Sequence, residues 1–412
     1  MELETWAGAV LSRDEIERNW RRLIELGPRF PGTPNNEHTI TYLTEQLRDL
    51  PYRLWYHEFS YLGWALGKSP TLRVLEPEAL TMECQAFIYC GPTPEGGARG
   101  KLEYMGEHWV IGLLKWPKFS IRNDQGEVLG YISGRTDGPP IPQPLSERSS
   151  VLPHFIVGRD DLQKLLAWAD SGQRIVVEGE IDSRLDPKAR MRNVIASSLL
   201  EDSDEPRIAL CAHLDSMYTC PGANDNAGGV SALLALARYY AKDKSPGPLE
   251  FIFFNGEEWD LAGSKAFVAR YVKSHTVDRY KLLFNLDGIS ETVDGLQLWV
   301  GPEGFSRELK EAIDRFDLRL PRTILYKFPP PLGSDHVPFY NMGVPVCMFT
   351  GYDIKKYHLP SDTYWDGGVD SIRYVAELTR HLIDLFATRD MNYETRETIQ
   401  ALKPYFWSAV EG

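Results

Sequence analysis

The 412-residue chain is poor in cysteine, with five: Cys84, Cys90, Cys211, Cys220 and Cys347. The number is odd and no CxxC pair occurs, which speaks against a disulfide framework and against a thiolate metal site. Most are expected to be small buried residues, while Cys211 and Cys220 flank the segments discussed below and could pair in an oxidising setting. Clusters of basic residues are also lacking. Lys and Arg total 45 against 58 Asp and Glu, a net charge of −13, which disfavours a nucleic-acid partner. Long apolar runs are missing too. The most apolar helical stretch, "GVSALLALARYYA", is short and interrupted by Arg238, so no membrane span is expected. The opening "MELETWAGAVLSRDEIERNW" has no basic segment followed by a long apolar one, so a cytoplasmic location is the default expectation. No internal repeat or low-complexity tract is evident.

What is present suffices for a large core: 43% hydrophobic and 12% aromatic residues. A chain this long is expected to form two domains, or one domain with a large insertion. Residues 12–50 read as helix, a "GPRFPGTPNN" break, then helix, with Ser12 and Glu15 in a capping-box pattern. From about 68 to 182 short β-type runs such as "TLRVL", "AFIYC" and "VLGYIS" alternate with Gly/Pro turns, and "RDDLQKLLAWADSG" supplies one helix. The expected organisation is therefore a discontinuous domain, 1–67 with 183–412, interrupted by a mostly β module at 68–182. From about 190 strands and helices alternate, the pattern of an α/β sheet. In "NAGGVSALLALARYYA", Val230, Leu233, Leu234, Ala237 and Tyr240 recur at helical spacing.

Four apolar runs organise that region: "RIALCAHLD", "LEFIFFNGEE", "KLLFNLDGI" and "VPVCMFTG". The first three end in residues able to bind metal, His213 with Asp215, Glu257 with Glu258, and Asp287; the fourth leads to His358. Ligands of open α/β sheets bind outside the carboxyl ends of strands, where loops converge.

Each residue also has an ordinary reading. His213 and Asp215, two apart on a strand, face one side; they suit a metal ligand with a carboxylate behind it, or a strand-end histidine beside a turn aspartate. Asp225 and Asn226 precede an apolar helix, and either makes a good N-cap. Glycines 222, 228 and 229 permit close backbone approach, and Asp225 could instead bridge two cations. The adjacent Glu257 and Glu258 repel unless a metal neutralises one, leaving the other to accept a proton from water; otherwise they are two solvated glutamates. Asp287 in "NLDG" reads equally as a turn, and His358 as a solvated loop residue. Together, two histidines and several carboxylates without thiolate suit Zn²⁺, and also Mn²⁺ or Co²⁺.

"HLDS", "GANDNAGG", "FNGEEWDLAGSKAFV", "FNLDGIS" and "GSDHVPFYNMGVPVCMFTG…YHLPSDT" resemble, in order and approximate spacing, the M28 family of zinc peptidases over about 190–386. "LIELGPRFPGTPNNEHTITYLTEQL" is similar to that family's opening segment, and 68–182 resembles its protease-associated insertion. The resemblance implies a zinc-exopeptidase fold: α/β, with a mixed, mostly parallel central sheet, helices on both faces, and an inserted mostly β module. It implies two Zn²⁺ ions, one on His213 and Asp287, the other on Glu258 and His358, bridged by Asp225. Glu257 matches the general base, Asp215 the carboxylate behind the histidine, and Tyr357 a tyrosine that some relatives aim at the oxyanion. Asp335 and His336 match a common local pattern and are not read as ligands. A peptide substrate and release of N-terminal residues follow as the expected activity. Carboxypeptidase or dipeptidase action, glutaminyl cyclisation and a non-catalytic binding protein are the alternatives. Trp259, Trp299 and Tyr352 suit a specificity pocket or ordinary packing, and the tail "YFWSAV" suits docking on a second subunit or on its own chain, so the oligomeric state stays open.

Overall fold

The structure is a computed structural model that describes residues 10–110, 115–145, 151–201, 203–242, 244–272, 279–292, 295–316, 323–351, 356–391 and 393. The first nine residues, Tyr352 and the "YFWSAV" tail, each the subject of an expectation above, lie outside the described residues. The chain divides into two compact units. One comprises Met1–Phe59, Met191–Glu257 and Leu261–Gly412; the other comprises Ser60–Arg190 with Glu258–Asp260.

The first unit is built on an eight-stranded sheet. Its centre is four contiguous parallel strands, ordered Leu249–Phe254, Arg207–His213, Tyr280–Leu286, Val346–Gly351. Antiparallel neighbours flank them, Arg190–Ser197 on one side and Leu296–Gly301 on the other. The four central strands are buried along their whole length, apart from Lys281, as expected of strands covered on both faces. Alternate side chains enter two separate cores. Ile208, Leu210, Ala212, Phe251, Phe253 and Phe284 join the helices Arg13–Glu25, Pro34–Leu47, Gly228–Tyr240, Glu303–Arg315 and Gly368–Phe386. Ala209, Cys211, Ile252, Phe254 and Leu283 join Phe267, Phe339 and Tyr340 from shorter helical segments on the opposite face. This is the mixed, mostly parallel sheet with helices on both faces that the sequence led us to expect.

The helix ends show what the sequence did and did not specify. Ser12 Oγ accepts the Glu15 N–H at 3.3 Å, so the N-cap forms. The Glu15 carboxylate instead accepts from Arg238 Nη1 at 2.9 Å, and only half of the capping box is made. Thr33 caps the next helix through the Asn36 N–H.

The second unit carries its own eight-stranded sheet, antiparallel except for one parallel pair, Val128–Gly134 with His154–Val157. One helix, Arg159–Asp170, accompanies it. Its long strands Gly63–Glu76 and Val176–Asp186 pair over most of their length, which carries this sheet outside the interval 68–182. The run "AFIYC" is strand only at its first residue, since Cys84–Ala86 ends there and Tyr89 has a positive φ of 73°.

Candidate metal centre

The ends of the parallel strands determine which side chains meet. The Arg207–His213 strand pairs in register with both neighbours, His213 opposite Phe254 and Cys211 opposite Asn285. The three loops that follow therefore leave the sheet at the same edge. Gly256 turns the chain at φ 79° just before Glu257, and Gly288 does so at φ 68° just after Asp287, conformations open to glycine at little cost.

Two donor groups result. His213, Asp225 and Asp287 each offer a ligand atom, and all three atoms lie within 4.8 Å of one another; the same holds for Asp225, Glu258 and His358. His213 Nε2 lies 3.0 Å from Asp225 Oδ1 and 3.4 Å from Asp287 Oδ1. His358 Nε2 lies 3.7 Å from Asp225 Oδ2. All five residues are buried. Asp215 Oδ1 sits 3.6 Å behind His213 Nδ1 and also accepts the Glu257 N–H at 3.3 Å. Glu257 belongs to neither donor group and is half-buried, whereas Glu258 is 5% exposed.

Asp225 is not the residue that serves the helix start. Asn226 Oδ1 accepts the Gly229 N–H at 3.0 Å, while its Nδ2 donates to Leu286 O. The adjacent Asp225 can therefore turn toward His213. A Cβ at Gly229 would lie 2.2 Å from Leu286 O, and one at Gly222 would lie 2.3 Å from Asp225 O. Those two glycines admit backbone to backbone within the fold. Gly228 meets only ordinary contacts.

Further contacts hold the donors from behind. Ser334 Oγ donates to Asp287 Oδ2 at 2.6 Å and accepts from Asn285 Nδ2 at 2.7 Å; Cys211 Sγ in turn donates to Asn285 Oδ1. Asp362 accepts the N–H groups of Asn224 and Asp225 at 2.8 and 3.1 Å, and the Cys220 thiol faces it. Cys211 and Cys220 are thus buried thiols with separate partners, not a disulfide. Burial pushes the Asp362 carboxyl up to about 6 even though two N–H groups favour its ionised form. His358 adopts φ 59°, rare for a residue with a Cβ. Its carbonyl accepts from Thr219 Oγ1, and the Tyr357 ring stacks on its imidazole at 3.5 Å between centroids.

Asp335 and His336 lie outside both donor groups. Burial lowers His336 to about 4, so the neutral ring donates Nε2–H to Pro331 O at 3.0 Å. Trp299 packs edge-on against it. Trp259 is fully buried, edge-on to Tyr61 and Tyr89. Packing thus accounts for both tryptophans.

The electrostatics call for a cation. Burial acts to lower the His213 pKa, yet Asp287, Glu257, Asp215 and Asp225 raise it well above its ordinary value. Burial acts to raise Asp225, and His213, His358 and Arg29 outweigh it. The fully buried His213 ring faces carboxylates at both nitrogens, Asp215 behind Nδ1 and Asp225 and Asp287 beside Nε2, which concentrates negative charge out of water. Nitrogen and oxygen donors converging on two points, with carboxylates in excess of histidines, fit divalent cations.

Residues 193–383 match the family described as Peptidase family M28. The match spans 191 of the 412 residues, so it is this segment that is similar to the family. Aminopeptidase YwaD of Bacillus subtilis is 28% identical over 190 residues, 42% of this chain and 39% of that protein. A probable leucine aminopeptidase 2 of Aspergillus oryzae is 27% identical over 35% of this chain and 28% of its own length. The chain thus spans well under half of either relative. Among solved structures, the aminopeptidase of Aneurinibacillus sp. strain AM-1 superposes with TM-score 0.70 at 21% identity, covering 90% of this chain and 93% of that one. A Bacillus subtilis protein described as a zinc aminopeptidase gives 0.68 at 19% identity, covering 94% and 99%. At such identities the likeness concerns the fold. The matched region contains all five donors, Asp215 and Glu257, but not the 27–36 loop.

Proposed function

We propose that this protein is a di-zinc exopeptidase that releases N-terminal amino acids from peptides. The observation that carries the reading is that Asp225 belongs to both donor groups, so one carboxylate serves two points at once. His213 and Asp287 would hold one ion, Glu258 and His358 the other, with Asp225 between them. The zinc aminopeptidase described among the structural relatives supports the choice of metal, and Mn²⁺ or Co²⁺ would suit the same donors. When bound, the ions would acidify water and polarise the scissile carbonyl.

The chain's own groups then divide the proton work. Glu257, outside both donor groups and less buried than its neighbour, takes a proton from the attacking water and returns it to the departing amine. Asp215 orients His213 from behind and anchors the Glu257 backbone. Tyr357 is assigned to the oxyanion side, and its ring also braces His358. Tyr357→Phe separates the two roles by keeping the ring and removing the hydroxyl donor.

The test is metal content with a substrate panel. Two zinc equivalents and cleavage of aminoacyl anilides, with N-blocked peptides left intact, are expected. Cleavage of N-blocked peptides at the C-terminus would assign carboxypeptidase action to the same site. One zinc with cyclisation of N-terminal glutamine, or no metal and no turnover, would refute the proposal.

A further inference from the structure

The "GPRFPGTPNN" segment reads as a break between helices and precedes the matched family region. In the structure it reaches the candidate centre from two directions. Arg29 has no solvent exposure, a rare state for arginine. Its guanidinium donates four hydrogen bonds, all to backbone carbonyls: Nε to Leu214 at 2.9 Å, Nη1 to Leu23 at 3.2 Å and Pro221 at 2.6 Å, Nη2 to Gly222 at 3.1 Å. Leu214 lies between His213 and Asp215, and Gly222 is three residues before Asp225. One planar fork therefore spans both ends of the segment joining two donors. The Arg29 N–H donates to Ser216 Oγ, which donates to Cys220 O and ties the middle of that segment.

The same loop grips the glutamate turn. Asn36 Nδ2 donates to Arg29 O and to Asn255 Oδ1, and Asn255 Nδ2 returns a bond to Asn36 Oδ1 at 2.9 Å. Asn255 is two residues before Glu257. Burial depresses the guanidinium, while Asp215, Asp362 and Asp225 oppose that depression; arginine stays charged in such settings. Lysine would keep the charge, but its point-like ammonium lacks the planar fork that spans these carbonyls.

We propose that Arg29 is a positioning residue for the metal centre, holding residues 214–222 so that His213 and Asp225 face one cation. This rests on the reading of the centre as a zinc site. A merely stabilising role would lower the thermal midpoint without touching metal affinity, and a remote control separates the two. Arg207 is also fully buried, paired with Glu250 at the far end of the strand that ends in His213.

The experiment is zinc titration of the metal-stripped full chain against a competing chromophoric chelator, beside thermal melts, for wild type, Arg29→Lys and Arg207→Lys. Zinc binding by Arg29→Lys is expected to weaken about 10–100-fold, the range for removal of a group that orients a ligand. Arg207→Lys is expected to melt earlier with zinc affinity unchanged. Wild-type affinity in Arg29→Lys would overturn the proposal, as would equal weakening in both variants. If Arg29→Lys does not fold, Ser216→Ala probes the same clamp, with weaker zinc binding expected and unchanged binding overturning it. A wild type that takes up no zinc would overturn the underlying zinc reading as well, an outcome distinct from the others.

Discussion

Glu257 and Glu258 are neighbours in sequence, and the structure gives them different surroundings. Glu258 lies among Asp225 and His358 and is nearly inaccessible; Glu257 is half-buried and outside both donor groups. Replacing each by glutamine removes a charge and preserves shape. In Glu257→Gln, the tether to Asp215 runs through the backbone N–H, so the loop should keep its place and zinc content should match wild type. The loss should fall on turnover. A positioned general base contributes about 10²–10⁴-fold, equivalent to about 3–5 kcal/mol of activation free energy. kcat should fall by that factor with KM little changed. In Glu258→Gln, one donor group falls to a histidine and a shared aspartate. The affinity for one zinc equivalent should drop by at least about 100-fold while the other is retained. Initial rates on an aminoacyl anilide and zinc analysis after dialysis measure both. Wild-type turnover in Glu257→Gln, or two tightly held zinc ions in Glu258→Gln, would refute this division of labour.

Three further outcomes are expected. Glu250→Ala should destabilise the fold by about 3–5 kcal/mol in urea titration, because it leaves buried Arg207 without its 3.1 Å partner and Tyr280 without its acceptor; a change below about 1 kcal/mol would contradict the structure. The contribution of the buried histidines to stability should fall as the pH drops from 6.5 toward 4, against an opposing gain from Asp362, whose carboxyl, held up at about 6, is protonated first in the folded chain. Burial holds His336 at about 4 and His154 well below its usual value, so the unfolded chain binds the extra protons, and His336 alone should cost about 2 kcal/mol by pH 5. A His336→Asn variant that keeps the wild-type pH dependence of the urea midpoint across that range would contradict it. Gly222→Ala forces a Cβ onto a residue at φ 67°, 2.3 Å from Asp225 O and 2.8 Å from Arg29 Nη2; melting temperature and zinc affinity should fall together, and an unaltered pair of values would exclude the left-handed turn at Gly222.

Much of the first unit was legible because its strands are short, apolar and periodic. The runs ending at His213, Glu257 and Asp287 are the strands observed, and the helix Gly228–Tyr240 buries each of the five residues picked out by spacing. The choice between Asp225 and Asn226 was not legible. Both side chains can accept from a helix N–H, and only the tertiary position of Leu286 O fixes Asn226 in that role. Arg29 escaped notice because three of its four acceptors are carbonyls 185 to 193 residues away, and carbonyls leave no mark in composition. The Glu15 half of the capping box was lost to Arg238, a side-chain donor 223 residues away that local spacing does not reveal.

Strand direction decides which residues join the centre. The four parallel strands are adjacent in the sheet, so their carboxyl ends share one edge, and His213, Glu257, Glu258 and Asp287 follow from those ends. The antiparallel neighbours Arg190–Ser197 and Leu296–Gly301 send their carboxyl ends to the opposite edge and contribute no donor. Such an edge concentrates like charge: Asp215, Asp225, Glu258 and Asp287, all buried, and the half-buried Glu257 repel one another there. Two histidines do not balance five carboxylates. A fold that gathers them must either protonate some, at a cost that grows with burial, or hold cations between them. The raised pKa of His213 indicates how strongly positive charge is favoured at that point, and a divalent ion meets the demand with two charges where a proton supplies one.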